Sequence, residues 1–362
     1  MRGPLAKLAC LMAAVLLGAA DEVDGEGDQA AADVQAAPEA LADDPLWITG
    51  SSTVAPFALV AAGLSRDGQR TFVEATGTSA GLAALCGAEA APLVGASRQV
   101  RRAELASCEA RNVATVIEVE LGLGAIVLAQ SSEAAPLALT QADLYLAVAR
   151  DVPDRPEAED CRLVPNRARA WSDVRAGLPE RRLRVYGPPV TSGTRDVLLS
   201  RGLAVGARAL PCLAALERRD PEAFERALRV RRDGAWVDAG ESDGALAFAL
   251  TRLPDAVGVM GRVHALAQDG LAVLPLGGVY PTPETIADGR YPLSRPLYLY
   301  TEAGWLTRDP RVREVVTAFA KPEATGPSGV LTGMGLAPNP QGSQARLIST
   351  ADGAATPLSL GR

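Results

Sequence analysis

Three short turns built from Thr, Ser and Gly hold the residue types best suited to chemistry. They are Thr49-Gly50-Ser51-Ser52-Thr53, Thr76-Gly77-Thr78-Ser79-Ala80-Gly81 and Thr191-Ser192-Gly193-Thr194. Each follows a strand-like run (Leu46–Thr49, Thr71–Thr76, Leu183–Tyr186) and precedes a helix-like stretch rich in Ala and Leu. A strand that passes into a helix through such residues leaves backbone N–H groups unpaired at the helix start. Neighbouring hydroxyls add donors, and the partial positive charge of the helix N-terminus completes an anion receptor. Taken singly, these are ordinary turns and caps. Three that converge would grip one oxyanion. Gly95-Ala96-Ser97-Arg98 adds a guanidinium at the end of a further strand-like run, and its paired N–H donors suit a tetrahedral anion.

One turn also fits a different chemistry. Gly77-Thr78-Ser79-Ala80-Gly81 has the Gly-x-Ser-x-Gly spacing of a nucleophile elbow, which would make Ser79 the nucleophile and His264 the base of a serine hydrolase. His264 is the sole histidine, it sits in a helical pattern, and the elbow leaves Arg98 and Ser192-Gly193-Thr194 without a role. Binding without catalysis is therefore the preferred reading. No cofactor is expected, and no Cys/His spacing supports a metal site.

The elements that must position these turns alternate between strand and helix. Strands are expected at 46–49, 71–76, 93–96, 113–118, 122–129, 183–186, 256–260, 271–274 and 297–300. Helices are expected between them, among them 54–64, 80–85, 101–110, 141–149, 195–201, 243–251, 263–268, 283–287 and 311–320. Thr140 with Asp143 has capping-box spacing, and Thr282-Pro283 is a cap followed by proline at the first helical position. This alternation predicts an α/β architecture. Residues 119–127 and 256–260 read as crossings between two αβ sets. The expected organisation is a discontinuous first lobe (45–121 and 261–338), a second lobe (122–260) and a cleft between them. Ligands in such sheets sit beyond the strands' carboxyl ends, and hinge motion closes the cleft.

The 362 residues are 48% hydrophobic and 22% charged, enough for about two domains. Residues 1–20 have the charged start (Arg2, Lys7) and short apolar core of a secretory signal ending at Ala20, too short for the ~20-residue apolar run of a membrane span. Cys10 sits early in that core, which argues for cleavage rather than lipid anchoring. Residues 21–44 carry nine acidic residues and no Lys or Arg, and read as a disordered linker. Residues 339–362, rich in Asn, Gln, Ser, Gly and Pro, read as a mobile tail. Removing the signal leaves 34 basic against 43 acidic residues, which excludes nucleic-acid binding through a basic face. Cys86, Cys108, Cys161 and Cys212 remain, an even count that in an exported chain reads as two disulfides with three possible pairings. Nearest-neighbour pairing would put one bridge in each lobe.

Ile48-Thr49-Gly50-Ser51-Ser52-Thr53-Val54, Gly95-Ala96-Ser97-Arg98, Tyr186 to Thr194 and Ser242-Asp243-Gly244-Ala245 occur in order. Together they resemble the phosphate-binding proteins of bacterial ABC importers, across roughly residues 46 to 338. Cys86 and Cys108 resemble a bridge found in one branch of that family, and Tyr291 to Leu297 resembles its returning strand. The resemblance implies a two-lobed periplasmic binding protein-like (type II) fold and a dehydrated inorganic phosphate gripped between lobes. It also implies delivery to an inner-membrane permease, a periplasmic location and a monomer. Carried over by motif, Ser52, Thr53 and Val54 would supply donors from the first lobe, with Thr78 and Ser79 beside them. Ser192, Gly193 and Thr194 would close from the second lobe. Two departures bear on specificity. Arg98 stands where many relatives carry an Asp that accepts the proton of hydrogen phosphate, and Pro188 stands where many carry an Arg. Arg98 is therefore expected to be the site's cation, Arg195 either adds positive field or faces solvent, and Glu74, Asp196 or Asp243 is the candidate replacement acceptor. Sulfate binding and an oxyanion-sensing receptor are the alternatives within the same site chemistry.

Overall fold

Apolar side chains alternate between two faces along the central strands, and this alternation builds a mixed α/β molecule. The computed structural model describes residues 44–359 other than 65–69, 89, 320, 340, 341 and 343. The signal read at 1–20, with Cys10, and all but Asp44 of the acidic segment 21–44 lie outside the described residues. The strands are β1 (Leu46–Gly50), β2 (Thr71–Glu74), β3 (Leu93–Ala96), β4 (Thr115–Ser131), β5 (Asp151–Pro153), β6 (Leu163–Pro165), β7 (Val185–Gly187), β8 (Trp236–Asp238), β9 (Val257–Gly261), β10 (Leu271–Leu274), β11 (Ser294–Glu302), β12 (Gln344–Ser349) and β13 (Ala355–Leu358).

The main sheet runs β2-β1-β3-β11-β4-β9-β7-β8, with β10 and β12 also on β4. β1 pairs parallel with β2 and β3, and β7 parallel with β8 and β9; β11 is antiparallel to β3 and β4. On β11, Leu297 and Leu299 enter one core with Leu46, Ile48 and Val315, while Tyr298 and Tyr300 enter another with Val94 and Leu82. On β9, Val257 and Val259 face a core with Trp171 and Leu213, and Met260 faces one with Leu246. Helices thus cover both faces, which explains why the strands read as continuous apolar runs.

β4 ties the two lobes together. Its first part pairs with β11 and β12, and its end pairs with β9 and β10. It is one strand of 17 residues where two were expected. Gly122, at φ +149°, takes the bend; a β-carbon there would meet the Ala337 carbonyl oxygen at 2.8 Å, and the β11 register shifts opposite it.

Two further expectations change. β11 begins at Ser294, three residues before the expected start, because Ser294–Pro296 pair with Leu123–Ala125. Much of the expected mobile tail is a hairpin: β12 and β13 pair, and β12 lies antiparallel on β4. Its polar residues mask two buried anchors, Ala345 and Ile348. Bridges join Cys86 to Cys108 and Cys161 to Cys212.

Candidate anion-binding site

The first turn is shaped by Gly50, at φ +117°, whose missing β-carbon would sit 2.2 Å from the Gly95 carbonyl oxygen. Only glycine lets the ends of β1 and β3 approach this closely. Ser51 N–H donates to Gly95 O at 2.8 Å, and Val54 N–H donates to Ser51 O at 3.0 Å. The Val54 amide is therefore spent inside the turn. Ser52 and Thr53 are buried beside it.

The second and third turns meet across the cleft. Thr78 Oγ1 lies 3.1 Å from Ser97 Oγ and accepts from Ser97 N–H at 3.2 Å. Gly193, at the start of the helix Gly193–Val197, packs directly on this pair: a β-carbon there would lie 2.5 Å from Ser97 Oγ and 2.6 Å from Thr78 Oγ1. Ser192 caps the helix by accepting from Thr194 N–H at 3.2 Å. The expected Ser52, Thr53, Thr78, Ser192, Gly193 and Thr194 are all buried.

At the centre stands a cation outside the expected set. Arg295, near the start of β11, is 2% exposed. Its Nη2 donates to Thr53 Oγ1 at 3.0 Å and to Thr194 Oγ1 at 3.1 Å, joining the two lobes. Its Nε and Nη1 are buried with no hydrogen-bond partner among the described residues. Burial pulls this guanidinium down to about 9, with Asp243 acting in the opposite direction. A desolvated guanidinium with donors to spare is strongly attractive to an oxyanion.

Arg98 is placed at the rim instead. Nη1 and Nη2 fork onto Glu104 at 2.9 and 2.7 Å, Nε donates to Asp196 Oδ2 at 3.0 Å, and Nη2 also donates to Ser79 Oγ at 3.1 Å. Burial opposes the charge, but Glu104 and Asp196 prevail and hold the group above the ordinary arginine value. Arg98 is thus committed to two carboxylates, and the Ser79 hydroxyl to Arg98. Arg101 also reaches Asp196, at 2.6 Å.

Of the candidate proton acceptors, Asp243 lies in the interior. It is 4% exposed, and its Oδ2 accepts from Gly261 N–H at 2.9 Å. Burial raises it above the usual carboxylate range, against the lowering effects of His264, Gly261 N–H, Arg295 and Ser52. Gly261 brings Thr53 close as well, since its β-carbon position is 2.9 Å from Thr53 Oγ1 and 3.2 Å from Asp243 Oδ2. Glu74 is exposed on β2, and Asp196 is engaged at the rim. His264 Nε2 donates to the Ser52 carbonyl oxygen at 2.9 Å, while Ser79 Oγ accepts from Arg98, so the two hydrolase candidates have separate partners.

The model of the PBP superfamily domain matches residues 35–321. The chain belongs to the PBP superfamily. Among curated members it is similar to Protein SphX of Synechococcus elongatus, 24% identical over 69% of this chain and 66% of that one, so it spans about two thirds of that relative. It is also similar to Protein SphX of Synechocystis sp., 27% identical over 81% of this chain and 78% of that one. The fold is shared with the phosphate binding protein of Stenotrophomonas maltophilia, at TM-score 0.52 and 13% identity over 77% of this chain and 84% of that one. The three turns lie beyond the carboxyl ends of β1, β2 and β7, with Ser97 and Arg98 beyond that of β3.

Arg295 escaped the sequence reading for a physical reason. An arginine within Ser294-Arg295-Pro296 before an apolar run looks like a solvated strand start. A signal was nevertheless present: proline removes a ladder donor and belongs at edges or irregular positions, and this arginine enters the strand two residues before its register shift.

Proposed function

We propose that the chain binds inorganic phosphate between its lobes and delivers it to the permease of an ABC importer. The observation that carries this reading is Arg295, a buried guanidinium held by one hydroxyl from each lobe, with Nε and Nη1 unpartnered among the described residues. Thr53, Thr78 and Thr194, with amides at the helix starts near Ser79 and Gly193, replace the anion's water shell. Asp243 accepts the proton that hydrogen phosphate retains and sulfate lacks. Arg98 and Asp196 latch the lobes once they close.

The first lobe is taken as 45–121 with 294–338 and the second as 122–293, which moves 261–293 from the lobe expected from the sequence. The pairing of β10 with the end of β4, and the packing of Leu274, Ile286 and Leu293 with Trp171 and Leu213, support this division. The protein acts as a monomer without catalysis. A relative of the same fold that is named for phosphate binding supports this choice of ligand. Two disulfides and the signal-like 1–20 segment support an exported, periplasmic protein. Calorimetric titration of the mature protein with phosphate and with sulfate tests the reading. Saturable one-to-one phosphate binding, lost in Arg295→Met, is expected. Binding that survives Arg295→Met, or no phosphate binding at all, overturns it.

A further inference from the structure

Although the chain carries a net charge of −7, five arginines line one cleft of about 540 Å³. They are Arg150, Arg195, Arg229, Arg231 and Arg232, gathered near Trp236. Two of them are structural. Arg231 is buried and spends its donors on Asp233 and the carbonyls of Ala147, Asn166 and Ala168. Arg150 pairs with Asp151 at 2.6 Å.

The other three are poorly neutralised. Arg229 and Arg232 are exposed and make no ion pair among the described residues. Arg195 is 7% exposed and lies over the Trp236 ring at 4.5 Å, with its Nε buried and unpartnered. Its Nη1 donates to Pro188 O at 3.1 Å and lies 3.5 Å from Asp238, which already accepts from Trp236 Nε1 at 2.7 Å. Asp196, which also lines the cleft, is engaged by Arg98 and Arg101. The chain is acidic overall, so its charge balance does not account for this concentration of weakly neutralised cations. Several guanidinium forks around one open cleft suit a chain of phosphates better than a single phosphate, because each exposed contact is weak alone.

We propose that this cleft is a second anion site, separate from the one at Arg295, and that it takes the polyphosphate chain of an inorganic polyphosphate or a nucleoside polyphosphate. Arg229 and Arg232 bind its outer phosphates, and Arg195, held on Trp236, meets the inner end. The proposal does not depend on orthophosphate binding at Arg295.

The test titrates the full chain, in saturating orthophosphate and low salt, with sodium tripolyphosphate, ATP and poly-L-glutamate. Tripolyphosphate is expected to bind one-to-one. The Arg229→Ala/Arg232→Ala variant, both positions being exposed, should weaken this roughly tenfold or more while leaving orthophosphate titration unchanged. Added salt should weaken it in the wild type. Binding of ATP with equal strength assigns recognition to the phosphate chain alone, and stronger ATP binding assigns a nucleoside source; both support the site. The proposal is overturned if neither phosphate ligand binds, if the double variant binds equally well, or if only poly-L-glutamate binds.

Discussion

Arg98 Nε donates to Asp196 Oδ2 at 3.0 Å, joining the loop after β3 to the helix that follows β7. This contact crosses the cleft but does not occupy its centre. An interlobe ion pair stabilises the closed form alone, so its loss should appear mainly as faster ligand release. Arg98→Ala is expected to weaken phosphate binding by about tenfold, a discounted share of a charged hydrogen bond at a part-exposed rim. Stopped-flow kinetics with a cleft-attached fluorophore would read the effect in the dissociation rate. A loss as deep as that of the Arg295 variants would instead make Arg98 a direct ligand.

Arg295 sets the comparison. Arg295→Lys keeps the charge but loses the planar fork, in which Nη2 holds both Thr53 and Thr194 while Nε and Nη1 remain for the anion. Losing two or more charged hydrogen bonds predicts roughly 100-fold weaker phosphate binding or worse. Calorimetry of the folded variant checks this, with circular dichroism as the control for folding.

Gly193 tests closure itself. In Gly193→Ala the new methyl would press on Ser97 Oγ and Thr78 Oγ1 only when the lobes meet. Overpacking of about 1–3 kcal/mol in the closed form predicts roughly five- to 150-fold weaker binding. Ligand-free thermal stability should barely move, since alanine suits the helix Gly193–Val197. A marked fall in ligand-free Tm would show that the contact also supports the resting fold.

Much of this arrangement was legible in the sequence, because backbone geometry dictates certain residue types. Gly50, Gly77 and Gly193 are glycines for conformational or steric reasons, and the hydroxyls around them mark the turns. The strands at 93–96 and 271–274 match observation, as does the Thr140 capping box. What stayed hidden depends on long-range pairing. Arg98 and Arg295 have similar local settings beside strands. Only the fold shows that Glu104 and Asp196 neutralise the first while the second is buried between hydroxyls. The role of the 344–358 hairpin likewise comes from its register on β4 rather than from its composition.

That hairpin carries a measurable share of stability. Arg346 pairs with Glu118, which is 1% exposed and also accepts from Tyr300 Oη at 2.5 Å. Arg346→Met leaves that carboxylate buried with the phenol as its main partner. A destabilisation on the order of 3 kcal/mol is expected, near the low end for a broken buried pair because Arg346 is partly open to water. Urea unfolding would read it, and Glu118→Gln combined with Arg346→Met should recover a good part of the loss.

In the proposed site specificity would rest on Asp243, and the sign of its pH dependence follows from its burial. Its folded-state pKa lies above the unfolded value, raised chiefly by desolvation. The folded chain therefore holds this proton more tightly than the unfolded one. In the ligand-free protein, Asp243 contributes stability that is fully present below the ordinary aspartate pKa and is lost as pH rises through the raised value. Above that value the carboxylate is ionised, and in the proposed site it would accept the proton of hydrogen phosphate and repel sulfate, which has none to give. As pH falls and Asp243 takes up its own proton, sulfate should compete increasingly well. Asp243→Asn should act at neutral pH as acid does in the wild type, weakening phosphate, strengthening sulfate and flattening the pH profile of their ratio. Competition titrations at several pH values decide the matter. A phosphate-to-sulfate ratio that is unchanged in Asp243→Asn would place discrimination elsewhere, with Glu241, also raised by burial, as the next carboxylate to examine.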